Sequence, residues 1–87
     1  MENNLSIVKD QFKELPNNIE AEQAVIGSIL VNNDIFDEIS TIISSINFHD
    51  PMHQKIFKAI ESLIYKGMLA NPITLKNYFE DEKDDLN

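Results

Sequence analysis

The sequence predicts an all-α fold, a small orthogonal bundle of about four helices with no sheet. Three observations carry this. Ile35, Phe36, Ile39, Ile42, Ile43 and Ile46 recur at the spacing of one helix face, and no apolar-polar alternation of the kind a half-buried strand needs occurs anywhere. Asp50-Pro51 and Gly67 bracket a 3.6-residue apolar pattern with a helix start and a helix stop. The isoleucine content favours strands by propensity, but the period outranks it.

The elements follow in order. Residues 1–14 read as a leader: Leu5, Val8 and Phe12 allow one weak amphipathic turn, yet the stretch has no clear cap and is polar elsewhere, which favours an uncommitted arm. Order is expected from Leu15-Pro16. A first helix runs from about Asn18 to Val31, with Asn17 as N-cap and Glu20 as its capping-box partner, and Asn18 as the rival cap. Glu20 and Glu22 put negative charge in the first turn, where the helix dipole favours it. Val25, Ile26, Ile29 and Leu30 form its apolar stripe. Gly27 lies within the helix at a cost of about 1 kcal/mol relative to alanine, which predicts close approach by a neighbouring helix there.

Asn32-Asn33-Asp34 breaks the chain, and a second helix is expected over about Asp34 to Ser45. In the third helix Asp50 caps, Pro51 takes the first position and Gly67 stops the helix after Lys66. Met52, Ile56, Phe57, Ile60, Leu63 and Ile64 are expected on one side, with Lys55, Lys58, Glu61 and Ser62 opposite. Past Pro72, Thr74 is expected to cap a fourth helix carrying Leu75, Tyr78 and Phe79; from Glu80 the chain turns acidic.

Composition narrows the function. Fifteen acidic residues against seven Lys and Arg give a formal charge of -8. Nucleic acids are held through Lys and Arg contacts to phosphate, so direct binding of DNA or RNA is not expected, and basic or apolar protein partners fit better. Cysteine is absent, so disulfides and thiolate metal sites are excluded. No apolar run approaches the 18 or so residues of a membrane span and no signal-peptide pattern opens the chain, which points to the cytoplasm.

Sites for chemistry are sparse. A phosphate-cradling P-loop needs two glycines five apart followed by Lys and Ser or Thr; the two glycines here, Gly27 and Gly67, are far too distant, so nucleotide binding through a P-loop or a dinucleotide fingerprint is excluded. His49, Asp50 and His53 resemble a metal cluster, but His49 precedes the helix cap that Asp50 provides while His53 lies in the first turn, so they do not share a helical face. A packing or hydrogen-bonding role for His53 is the stronger expectation. Ser28, Ser40, Thr41, Ser44, Ser45 and Ser62 are scattered, without a base beside any of them. No catalytic, cofactor or metal residue is assigned. What remains is surface: the apolar complement is generous for so short a chain, so part of it is expected to meet a partner or following helices.

Three blocks carry a resemblance. Leu15-Pro16-Asn17-Asn18-Ile19-Glu20-Ala21-Glu22-Gln23-Ala24-Val25-Ile26-Gly27-Ser28-Ile29-Leu30 is followed by Phe48, Pro51, His53, Ile56-Phe57 and Ala59-Ile60, and then by Ile73-Thr74-Leu75. In this order they resemble the N-terminal domain of bacterial replicative DNA helicases of the DnaB type, over about residues 15–80. The resemblance implies a collar domain at 15–80, with a flexible leader at 1–14 and an acidic C-terminal end of a truncated chain at 81–87. It implies a hexameric ring of helicase subunits, contacts with primase and a helicase loader, and an ATP- and Mg-dependent motor lying C-terminal to these residues. This stretch by itself is then not an enzyme, and alone it is expected to be a monomer or weak dimer. No catalytic residue is carried over. The structural motif residues are Glu20, Ala21, Glu22 and Gln23 at the first helix start, Gly27 within it, and Phe48, Pro51, His53 and Phe57 at the corner into the third. Two other readings remain: the helicase-binding domain of a primase, or an unrelated acidic helical adaptor.

Overall fold

Asn18, not Asn17, starts the first helix. The computed structural model describes residues 18–86, with side chains to residue 83; the expectations for the leader, for Leu15-Pro16 and for Asn17 fall outside that range. Asn18 has an extended backbone, and its side-chain oxygen accepts the Ala21 N–H at 2.9 Å. That makes Ala21 the third helical residue, so Glu20 is not in position to close a capping box. Helix α1 spans Ile19–Val31. It buries Ala21, Glu22, Val25, Ile26 and Ile29, which extends the apolar stripe toward the helix start by Ala21 and Glu22 and leaves Leu30 only partly buried.

The expected second helix is much shorter. A 3-10 turn at Asn33–Ile35 leads into helix α2, Phe36–Ser40, and a second 3-10 turn follows at Ser45–Asn47. Phe36, Ile39 and Ile43 are buried as the period requires, whereas Ile46 is 80% exposed. The reason lies in residues 39–45, Ile-Ser-Thr-Ile-Ile-Ser-Ser, all of them β-branched or serine and weak helix formers. The Ser40 and Thr41 hydroxyls donate back to the carbonyls of Asp37 and Glu38 at 3.0 and 2.7 Å, and the chain leaves the helix there.

Helix α3, Pro51–Tyr65, has the expected ends. Asp50 accepts the Met52 N–H at 2.8 Å and Pro51 is the first helical residue. At the far end Gly67 adopts a φ of 78°, its N–H donates to the Ile64 carbonyl, and the Met68 N–H reaches the Leu63 carbonyl, each at 2.9 Å. This six-to-one closure needs a left-handed residue, which glycine supplies without a Cβ clash. His53, Phe57, Ala59, Ile60 and Leu63 are buried, but Met52 is 56% exposed, so its place on the apolar side is not realised.

Helix α4 spans Pro72–Leu86 and continues through the acidic residues. Its cap is Asn71 rather than Thr74. The Asn71 side-chain oxygen accepts the Ile73 and Thr74 N–H groups, and the Thr74 hydroxyl accepts the Asn71 N–H, all at 2.9 Å. Thr74 is therefore the reciprocal partner of a capping box, three residues inside the helix whose start it was expected to mark.

The four helices make one all-α bundle, with no strand among the described residues. The starts of α1 and α3 are tied to each other through Glu22 and His53, and the chain just past their ends is tied through Asn33 and Ala70. The two helices thus run in the same sense, and residues 32–50 carry the chain back to the starting end. Phe36, Phe48 and Phe57 fill the space between, with ring centroids 5.5 Å apart for Phe36–Phe57 and 5.1 Å for Phe48–Phe57. Such pairs contribute about 0.5–1.5 kcal/mol each beyond burial. Helix α4 covers the same cluster with Leu75, and with Tyr78 and Phe79 half-buried against it.

Candidate functional site

Two of the three sequence blocks meet at one corner. Glu22, in the first α1 turns, is 2% exposed. One carboxylate oxygen accepts the His49 N–H at 2.5 Å; the other accepts His53 Nδ1 at 2.7 Å and the Asp50 N–H at 3.3 Å. An ionised carboxylate only accepts, so His53 carries its proton on Nδ1. Burial pushes the Glu22 carboxyl upward, but the His53 hydrogen bond, the His49 and Asp50 amides and the His53 charge outweigh it and hold the group below its ordinary value. The sequence predicts for Glu22 only a favourable charge in the first helical turn. It is instead the buried acceptor that closes the bundle.

The other motif residues fall around it. Ala21 is buried beside Glu22, while Glu20 and Gln23 face outward. Phe48 and Phe57 are core residues, and the Phe48 ring stands edge-on to His53 with centroids 6.4 Å apart. Pro51 is exposed at the helix start. The corner brings Glu22, Phe48, Pro51, His53 and Phe57 together; Gly27 lies away from it.

Gly27 does not mark a close helix approach. Among the described residues, a Cβ added there would meet nothing within 4 Å. The glycine instead shares an open apolar depression on α1 with Ala24, Ser28 and Val31, the last 89% exposed.

A second clasp was not foreseen. The Asn33 side-chain nitrogen donates to the carbonyls of Ile29 at 2.7 Å and Ala70 at 3.0 Å, and its oxygen accepts the Ala70 N–H at 2.7 Å. The Asn32-Asn33-Asp34 break was visible in the sequence, but the reach of Asn33 across to residue 70 leaves no local signature.

These contacts are structural in their chemistry. His53 Nδ1 is engaged by Glu22, Asp50 caps α3, and His49 is exposed. Among the described residues no three metal-ligand side chains gather, and no buried side-chain nitrogen or oxygen lacks a partner. No helix there is long and apolar enough to cross a membrane. The groups free to act are on the surface: Val31, Ile46, Tyr65, Leu69 and Ile73 are each more than 60% exposed, beside a predominance of acidic side chains.

A family model described as the DnaB-like helicase N terminal domain matches residues 14–87. A replicative DNA helicase DnaB of Rickettsia typhi is 43% identical over 76 residues, 87% of this chain and 14% of that protein. Its counterpart in Rickettsia felis is 42% identical over 69 residues, 79% of this chain and 14% of the relative. That of Buchnera aphidicola subsp. Baizongia pistaciae is 37% identical over 79 residues, 91% of this chain and 17% of the relative. The chain thus matches about one-seventh of the length of these relatives. No solved structure matches it.

Proposed function

The chain belongs to the DnaB-like helicase N-terminal domain family, and we propose that it serves a hexameric replicative DNA helicase as an assembly and partner-docking domain. The family match across residues 14–87 carries this reading. The proposed role is to help hold helicase subunits in a ring and to present a surface to primase and a helicase loader in the cytoplasm. ATP and Mg belong to a motor domain C-terminal to it, and these residues catalyse nothing themselves.

Physical features support the division of labour. The glycines stand where no phosphate loop can form, one on an open helix face and one closing a helix end. The formal charge of -8 opposes phosphate contacts and leaves DNA handling to other parts of the protein. Exposed Val31, Ile46, Leu69 and Ile73 offer apolar side chains for a partner to cover.

The test compares a full-length helicase carrying this domain with one lacking residues 15–80. Light scattering at equal subunit concentration should show a hexamer that dissociates more readily without the domain, and retention on immobilised primase should fall, while ATP hydrolysis per subunit persists. Unchanged hexamer stability together with unchanged primase retention would defeat the proposal.

A further inference from the structure

We propose that residues 44–49 form a strap latched by Glu22, which opens as a unit while the helices remain folded. The ground is how this stretch is held. Its internal bonds are local: the Asn47 and Phe48 N–H groups donate to the Ser44 and Ser45 carbonyls at 3.0 and 3.2 Å, and the Asn47 side chain accepts the Ser44 N–H at 2.8 Å. A turn with such bonds keeps its own shape when lifted.

The ties to the helices are concentrated at one end. The His49 and Asp50 amides reach Glu22, and the Phe48 carbonyl accepts Gln54 Nε2 at 2.7 Å. Phe48 is the buried anchor, between Phe57 and His53, whereas Ser44, Ile46, Asn47 and His49 are exposed. A short segment with one buried side chain and most of its residues exposed belongs to the low end of local stability. The α3 cap survives opening, since it uses the Asp50 side chain and the Met52 amide. Opening bares the Phe48 and Phe57 rings next to Ile46 and Met52, which already face solvent. The strap stands on this chain's geometry and does not depend on the helicase reading.

Amide hydrogen exchange by NMR on the chain tests it. The His49 amide, which the latch holds, should exchange with a shallow dependence on denaturant, and those of Ala59, Ile60 and Leu63 with the steep dependence of global unfolding. Gln54→Ala removes one tie and should speed His49 exchange about 2- to 10-fold, leaving Ile60 nearly unchanged. Glu22→Gln should speed His49 exchange by at least about tenfold more than Ile60. The same denaturant slope at His49 and Ile60 in the unaltered protein overturns the proposal, as does an equal factor at both sites in Gln54→Ala. If Glu22→Gln does not fold, the first two measurements decide.

Discussion

Replacing Glu22 with glutamine preserves shape and removes charge at the point where α1, α3 and the intervening chain meet. The carboxylate accepts from His49 N–H, Asp50 N–H and His53 Nδ1 while 2% exposed. Glutamine has one carbonyl oxygen, so it can serve one side of this arrangement; its amide nitrogen then faces a donor. A buried donor left without an acceptor costs about 1–3 kcal/mol. With one such donor and a second bond weakened by loss of charge, Glu22→Gln should destabilise the domain by about 2–4 kcal/mol. A domain of this size is worth about 4–10 kcal/mol in all, and each kcal/mol shifts the midpoint by about 4–8 °C. Urea unfolding followed by circular dichroism at neutral pH measures the difference. A loss below about 0.5 kcal/mol would refute the reasoning.

The same group sets a pH dependence. Its folded-state pKa lies below the ordinary 4.5, so the stability it confers is complete above that value and is lost as pH falls through the lower, folded-state value. Glu22→Gln should lack this component of acid sensitivity, and the two proteins should converge in stability on acidification. Parallel curves down to the acid end would show that Glu22 is not the group responsible.

Other outcomes follow from neighbouring features. Asn33→Ala removes the bonds to Ile29 and Ala70 and should cost about 2 kcal/mol in a urea melt; an unchanged midpoint would remove the clasp from the account. The two glycines should respond with opposite signs. Gly27→Ala adds a methyl where nothing lies within 4 Å, inside a helix, and should raise stability by about 0.5–1 kcal/mol. Gly67→Ala, at φ 78°, should lower it by about 1 kcal/mol; the same sign for both contradicts the placement. Fluorescence titration with single-stranded DNA at low salt should show no binding, and micromolar affinity would overturn the charge argument.

The span of α3 was legible because its ends are chemically explicit: Asp50-Pro51 fixes the start, and Gly67 supplies the conformation that stops it. The α1 register was legible for a similar reason, though adjacent asparagines left the cap open between Asn17 and Asn18. The second helix was overextended because apolar spacing records which residues face the core, and Ile39 and Ile43 do so whether the backbone between them is helical or turning. Only the hydroxyls of Ser40 and Thr41 hinted that it turns. Thr74 was mistaken for the cap because a capping box carries a good capping residue at both ends, and Asn71 holds the outer one.

The corner was half legible. Glu22 and His53 each stand in a recognisable block, but they lie in separate helices and their pairing obeys no local spacing, so the sequence shows the acid only as a charge in the first helical turn. Gly27 misled for a related reason. Its helix cost implies a compensating use, and among the described residues no neighbour supplies one.

The measurement that bears most directly on the assembly-domain account is the reading frame of the gene beyond Asn87. The account predicts that the frame continues into a segment with two glycines five apart followed by Lys and Ser or Thr, the phosphate-binding loop of a motor that these 87 residues lack. A stop codon at or shortly after residue 87 would contradict it, leaving a free-standing acidic helical protein with no motor to assemble.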